Sequence, residues 1–144
     1  MIASPRPARN IRILMTMHRK ASFVAIIDDD DLMRSALQGL LKEAGFNARA
    51  FGSAEEFLGS DEHRHAACLI ADIRMPGMSG LELQARLNAE AIRIPTIFIT
   101  AHGDARMRMQ ALRAGAVEFL TKPFDDEVLL DSLRAALNRE PGSL

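Results

Sequence analysis

The sequence contains a single cysteine and neither tryptophan nor tyrosine. One cysteine cannot form an internal disulfide, so a fold held together by disulfides is excluded. Cys68 lies in an apolar run, which is typical of a packing residue rather than a nucleophile. No apolar run approaches the ~18 residues of a membrane-spanning helix. The N-terminus has no apolar segment of signal-peptide type. These features predict a cytoplasmic protein without a membrane partner.

The sequence has no overall excess of one charge, because 18 basic and 19 acidic residues give a net charge of −1. Positions 1–20 contain five basic residues and no acidic residue, so the rest of the chain carries an excess of acidic residues. An acidic body argues against nonspecific binding to nucleic acid, and we expect no direct contact with DNA. The sequence predicts a basic, disordered extension at 1–21, one domain at 22–138 and a short tail at 139–144.

Short apolar runs alternate with helical patterns along this domain. The five runs that predict strands lie at 23–27, 46–51, 67–71, 96–100 and 117–121. Three helices are predicted at 31–44, 80–90 and 125–138. A short helix is predicted to begin at a capping box at Ser53, and another runs from Asp104 to near Gly115. A polar loop is predicted at 61–65. Five strand–helix units predict an α/β fold, a doubly wound parallel sheet with helices on both faces.

Polar side chains follow four of the predicted strands. Asp28 to Asp31 follow the first strand, Asp72 the third, Thr100 ends the fourth, and Lys122 follows the fifth. Ligands of such sheets bind at the carboxyl ends of the strands, so we expect these residues to meet there. Crowded carboxylates repel one another unless a cation lies between them, and Mg²⁺ prefers carboxylate, water and phosphate oxygens. With a lysine charge and a threonine hydroxyl, this set suits phosphoryl transfer.

Four segments at these strand ends resemble the receiver domain of two-component response regulators. They are Val24–Asp30, Ile70–Gly80, Ile97–Asp104 and Val117–Phe124. The resemblance covers about residues 22–138, and Arg-Met-Pro, His-Gly-Asp and Lys-Pro-Phe are most similar to FixJ-type receivers. It implies a single-domain receiver whose strands take the flavodoxin-like order 2-1-3-4-5.

The resemblance also implies a role for each residue at the sheet edge. Asp72 would be the phospho-acceptor, and Thr100 and Lys122 would hold the phosphoryl oxygens. Asp28, Asp29, Asp72 and the backbone carbonyl of Arg74 would bind Mg²⁺, with Mn²⁺ as a substitute.

Four further positions carry implied roles. Phe119 and Thr100 would act together as the switch, and the Lys122–Pro123 bond would be cis. Arg74 and His102 each lie two residues after a site residue, and they would tune hydrolysis of the phosphoryl group.

The function implied is a Mg²⁺-dependent phospho-aspartate switch in two-component phosphorelay signalling. A sensor histidine kinase or histidine phosphotransfer protein would phosphorylate the domain, which would then signal to an unknown downstream protein. A homodimer through the face of helix four, strand five and helix five is a further implied partner. The chemistry is directed at the protein itself, so we predict a switch rather than an enzyme.

Other interpretations stay open at this point. The chain could belong to a DNA-binding regulator whose effector domain lies elsewhere, or to a binding module that works without phosphorylation. A phosphohydrolase of haloacid-dehalogenase type would want a second aspartate two residues after Asp72, where Arg74 stands. A flavodoxin is disfavoured because Asp28 to Asp31 would repel the phosphate of its cofactor. On helix four, Met107 and Met109 are either partner-facing or partly core.

Overall fold

The structure is a computed structural model, and it describes residues 22–101 and 103–138. The predicted N-terminal extension, the predicted tail and His102 lie outside the described residues. Within them, five strands alternate with five helices. The strands are β1 (Phe23–Ile27), β2 (Ala48–Phe51), β3 (Ala66–Ala71), β4 (Thr96–Thr100) and β5 (Glu118–Thr121). The helices are α1 (Asp31–Glu43), α2 (Ala54–Leu58), α3 (Gly80–Ala89), α4 (Ala105–Arg113) and α5 (Asp126–Leu137).

The helices begin where short polar side chains accept the first free backbone N–H groups. Ser53 Oγ accepts from Glu56 N–H at 3.0 Å, and Asp104 Oδ1 accepts from Met107 N–H at 2.8 Å, so both predicted caps are confirmed. The reciprocal capping box lies elsewhere, at the start of α3, where Ser79 is the cap. Such caps satisfy donors that the helix itself cannot pair.

All five strands are parallel and lie in the order β2-β1-β3-β4-β5, which confirms the expected topology. Successive residues of β1 point to opposite faces of the sheet. Phe23, Ala25 and Ile27 join the core beneath α2, α3 and α4. Val24 and Ile26 join the core beneath α1 and α5. The sheet is therefore covered on both faces, and its strands β1 and β3 are apolar throughout, as is typical of strands buried on both faces.

The largest differences from the sequence prediction lie in β2 and in one loop, while β3, β5 and the ends of three helices differ by a single residue. β2 begins at Ala48 and β5 at Glu118, each later than the apolar run that predicted it. The predicted polar loop at 61–65 contains one turn of 3₁₀ helix, His63–His65. In the described part of the chain, no helix is both long and apolar enough to cross a membrane.

Candidate functional site

Three carboxylates meet at the carboxyl edge of the sheet, where the neighbouring strands β1 and β3 end. Asp28, Asp29 and Asp72 each place one carboxylate oxygen within 4.8 Å of the others. Asp28 and Asp72 are buried, whereas Asp29 is exposed. Backbone hydrogen bonds continue the sheet to this point, because Asp72 N–H donates to the Ile27 carbonyl at 2.9 Å. The predicted acidic cluster is thus held by the sheet itself.

Lys122 reaches the same carboxylates from β5, two strands away from β3 in the sheet. Its Nζ donates to Asp28 Oδ2 at 3.1 Å and to Asp72 Oδ2 at 3.0 Å. The Lys122 backbone N–H donates to the Thr100 carbonyl at 2.9 Å, which fixes the start of the side chain beside β4. One ammonium group therefore bridges the two buried carboxylates.

The charges of this cluster shift one another's titration. Burial raises the pKa of Asp28, and its hydrogen bonds with Asp30 N–H and Lys122 only partly offset the effect. Burial alone would lower the pKa of Lys122, but its hydrogen bonds to Asp72 and Asp28 outweigh burial and raise it. The two Nζ–Oδ2 contacts favour a charged Lys122.

The donor set fits a hard divalent cation. Mg²⁺ takes oxygen ligands, often one or two carboxylates with several waters, and three carboxylate oxygens converge here. Burial of Asp28 makes uncompensated negative charge costly, so added positive charge would be favourable. The exposure of Asp29 leaves this side of the cluster open to water and to a ligand.

The remaining predicted site residues lie around this cluster. Thr100 is fully buried at the end of β4, and Phe119 is buried within β5. The Arg74 side chain is exposed, while its backbone N–H donates to Asp72 Oδ1 at 3.2 Å. The Lys122–Pro123 peptide bond is cis. His102 lies outside the described residues.

Two charged residues that the sequence did not single out brace the loops of the site. Arg34 Nη1 donates to the Asp28 carbonyl at 2.6 Å, and the same guanidinium pairs with Asp31. Glu55 Oε2 accepts from Met78 N–H at 2.8 Å and so ties α2 to the loop after β3. Both residues look like ordinary helix-surface charges in the sequence, because neither the Asp28 carbonyl nor the Met78 N–H can be identified as a partner from residue types.

Gly80 contributes by lacking a side chain. A Cβ at this position would overlap the Asp72 carbonyl oxygen and lie 3.0 Å from Phe98 Cε1. Its N–H donates to the Ile73 carbonyl at 2.8 Å. The first turn of α3 therefore packs directly on the backbone that carries Asp72. In the sequence, Gly80 appeared only as the first residue of the helix predicted at 80–90 and as the end of the segment Ile70–Gly80.

Helix α4 presents a mixed surface beside the site. Met107 is partly buried against the core, whereas Met109 is 55% exposed. The core interpretation is therefore correct for Met107, whereas the partner-facing interpretation of Met109 stays a prediction. Arg108 on the same helix contacts the neighbouring strand, because its Nη1 donates to the Phe119 carbonyl at 3.1 Å.

The fold and the acidic site define a class of protein, a doubly wound domain with a lysine-bridged carboxylate cluster at the carboxyl edge of its sheet. Comparison with known proteins gives the family. The chain belongs to the response regulator receiver domain family, whose profile matches residues 24–134. Phosphorylation-dependent switching is the role of this family. The match favours this class over the phosphohydrolase and flavodoxin interpretations.

Individual relatives agree with this assignment. The response regulator protein TodT of Pseudomonas putida is 44% identical over 128 residues, which cover 89% of this chain and 56% of TodT. Nodulation protein W of Bradyrhizobium diazoefficiens is 45% identical over 126 residues, covering 85% of this chain and 56% of that protein. The chain thus spans little more than half the length of these relatives.

Solved structures show the same fold. The crystal structure of FixJ-N superposes with a TM-score of 0.74 at 40% sequence identity, covering 83% of this chain and 94% of that one. The sequence resemblance to receivers and the FixJ-like character of its motifs are both confirmed.

Proposed function

We propose that this chain is a phospho-aspartate switch in which Asp72 accepts a phosphoryl group. The observation that carries the proposal is the Lys122 bridge, with Nζ 3.0 Å from Asp72 Oδ2 and 3.1 Å from Asp28 Oδ2. A lysine drawn from β5 onto the end of β3 puts positive charge where phosphoryl oxygens would arrive. Phosphoryl transfer depends mainly on positioning and on neutralising charge, and this arrangement supplies both.

In the proposed reaction, an Asp72 carboxylate oxygen attacks the phosphorus of a phosphohistidine in line. A P–O bond forms as the P–N bond breaks, and the leaving imidazole keeps the electron pair of that bond and takes up a proton. Lys122 Nζ would transfer its hydrogen bond from the carboxylates to a phosphoryl oxygen, and the Thr100 hydroxyl would donate to another. The aspartyl phosphate carries up to about two negative charges at neutral pH, in place of the single charge of the carboxylate.

The proposed cofactor is Mg²⁺, with Mn²⁺ as a substitute. Asp28, Asp29, Asp72 and the Arg74 carbonyl would hold it, with Asp28 acting mainly through water. When bound, the ion would neutralise the carboxylates and the phosphoryl oxygens together. Support comes from the three converging carboxylate oxygens and from the burial of two of these residues.

The proposed output is a change of surface around α4, β5 and α5. Thr100 would move toward the phosphoryl group and Phe119 would follow, which requires a differential free energy of only about 1–3 kcal/mol for useful coupling. Proposed partners are a sensor histidine kinase or phosphotransfer protein, an unidentified downstream protein and a second copy of the chain through this face. We propose a cytoplasmic location, no direct contact of residues 22–138 with DNA, and no catalysis beyond the domain's own phosphorylation and slow dephosphorylation.

The test is phosphoryl incorporation from acetyl phosphate, with and without Mg²⁺, followed by intact-protein mass spectrometry. Wild type should gain one phosphoryl group only with Mg²⁺, and Asp72→Asn should gain none because its amide is a poor nucleophile. Asp61→Asn is the matched control, since Asp61 is an exposed aspartate in a loop away from the cluster. It should be labelled like wild type.

Labelling of Asp72→Asn at the wild-type level would overturn the assignment of the acceptor. A folded wild type that is never labelled would favour a binding module that works without phosphorylation.

The same assay, followed over time, tests the proposed tuning of hydrolysis. Alanine at Arg74 and at His102 should shorten the phosphorylated lifetime if these side chains restrict access of water; an unchanged or longer lifetime would reject that role.

A further inference from the structure

Phe119 lies on the short edge strand β5, and a hydrogen bond to its backbone carbonyl connects it to α4. Its ring is 3% exposed and packs in the core beneath α2, α3 and α4, although the neighbouring residues of β5 are more exposed. Its carbonyl accepts from Arg108 Nη1 at 3.1 Å, and the same arginine lies 4.0 Å from Glu118 Oε1. The backbone is thus attached to α4 independently of where the ring points.

The space beside the ring is filled by the backbone of Gly103. A Cβ built on Gly103 would lie 2.6 Å from Phe119 Cε1 and 2.9 Å from Cζ, closer than carbon atoms can approach without displacement. The same Cβ would lie 3.1 Å from the Thr100 methyl carbon. Gly103, the Phe119 ring and the Thr100 methyl therefore meet at one point.

The residues on either side of the loop that carries Gly103 are held by hydrogen bonds. Thr100 at its start belongs to β4, and its carbonyl accepts from Lys122 N–H at 2.9 Å. Asp104 at its end caps α4, with its carbonyl accepting from Arg108 N–H at 2.9 Å and its side chain from Met107 N–H at 2.8 Å. A side chain at 103 would therefore press on the ring rather than simply move the loop.

We infer that Gly103 is a positioning residue of the switch: the absence of a side chain there makes the space in which the Phe119 ring lies inward beside Thr100. A side chain at 103 and an inward ring exclude one another, so the residue type at 103 biases the ring between its positions. This inference rests on the proposed function for its consequence in signalling, but the steric relation stands independently of phosphorylation.

The first test is Gly103→Ala, examined by NMR on the unphosphorylated protein with labelled threonine methyl and phenylalanine ring groups. Wild type should show a nuclear Overhauser contact between the Phe119 ring and the Thr100 methyl. The variant should lose this contact, and the Thr100 methyl resonance should shift as the ring moves away. Gly39→Ala is the matched control, because a Cβ at Gly39 would meet nothing within 4 Å. An unchanged ring contact in folded Gly103→Ala would overturn the inference.

A second comparison separates a steric role from a backbone role. If Gly103 acts through the ring, Gly103→Ala should not change stability further in a protein that already carries Phe119→Ala. If Gly103→Ala alone impairs folding, adding Phe119→Ala should restore it. Effects that simply add, or a double variant that also fails to fold, would show that Gly103 serves the backbone instead, which would refute the inference.

The consequence in signalling is tested on the same variants. Acetyl phosphate with Mg²⁺ should still label Asp72 of Gly103→Ala, while the change in Thr100 and Phe119 resonances on labelling should be smaller than in wild type. A resonance change on labelling as large as in wild type would contradict the signalling role of Gly103. Failure to label wild type would count against the proposed function alone, since the ring contact is measured without a phosphoryl donor.

Discussion

Helices α4 and α5 flank the same edge strand but are attached to the sheet in different ways. α5 buries four residues, Leu129, Leu130, Leu133 and Ala136, in the core that it shares with α1. α4 buries only Ala111, although Met107 is partly buried against the opposite core. Apolar burial stabilises α5 strongly and without directional requirement, whereas α4 has little of it.

Polar contacts hold α4 instead. Gln84 Nε2 on α3 donates to the Ala111 carbonyl at 3.2 Å, and Asn88 Nδ2 donates to the Ala114 carbonyl at 3.0 Å. Arg108 adds its contact with the Phe119 carbonyl. A net contribution of about 0.5–1.5 kcal/mol for each hydrogen bond lets such contacts be exchanged at small cost. The comparison indicates that α5 belongs to the globally stable part of the domain and that α4 can shift locally.

The largest expected effect comes from α5. Leu133→Ala should lower the free energy of unfolding by about 2–5 kcal/mol, because the side chain is fully buried and its loss leaves a cavity. Urea unfolding followed by circular dichroism measures the change. Met109→Ala on α4 is the counterpart, and it should cost no more than about 0.5 kcal/mol because the side chain is largely exposed. Similar losses for the two variants would contradict the difference drawn between the helices.

The same two helices show how far the sequence could predict the fold. In α5 the leucines recur at helical spacing and their burial follows from the pattern. In α4 the pattern did not determine which face of the helix is buried. Tertiary packing places Met107 against the core and Met109 toward solvent. The strand runs predicted the sheet well, but pairing with a neighbour, rather than apolar content, set the first residue of β2 and β5.

The candidate site divides in a similar way. That Asp28, Asp72 and Lys122 would converge followed from parallel strand order, because the carboxyl ends of such strands share one edge. The contacts of Arg34, and the closeness of Gly103 to the Phe119 ring, did not follow. They depend on loop conformation and on distances of a few ångströms, which residue types alone do not specify.

The next effect in size is pH-dependent and tests the core beneath α5. Burial raises the pKa of the Cys68 thiol to about 12, from 9.0 for a free thiol. Between these values the folded chain keeps a proton that the unfolded chain has lost, so stability falls as pH rises, by up to about 1.4 kcal/mol per pH unit. Below pH 9 the thiol makes no contribution to the slope.

Cys68→Ala provides the measurement. Unfolding free energies of wild type and variant, compared from pH 7 to pH 11, should differ by a constant amount up to about pH 9, and the wild type should then fall more steeply. The other titrating groups cancel in this difference because both proteins share them. Parallel curves across the whole range would show that the thiol is not held protonated, and hence that the core beneath α5 opens more easily than its burial indicates.

The smallest expected effect concerns α4. Gln84→Met keeps the length of the side chain but removes its hydrogen bond to the Ala111 carbonyl, which also accepts from Ala116 N–H at 3.0 Å. Because that carbonyl keeps one partner, we expect a loss of only about 1 kcal/mol. Amide hydrogen exchange should reveal it as roughly fivefold faster exchange in α4, with α5 unchanged.

Gln38→Met is the matched control for this last variant, since Gln38 is an exposed glutamine on α1. It should leave exchange in both helices as in wild type. Faster exchange in α4 and α5 together after Gln84→Met would mean that the two helices open as one unit, so that the polar contacts of α4 do not define a separate element. Faster exchange confined to α4 would show that its polar contacts with Gln84 and Asn88 hold it as a separate element of the domain.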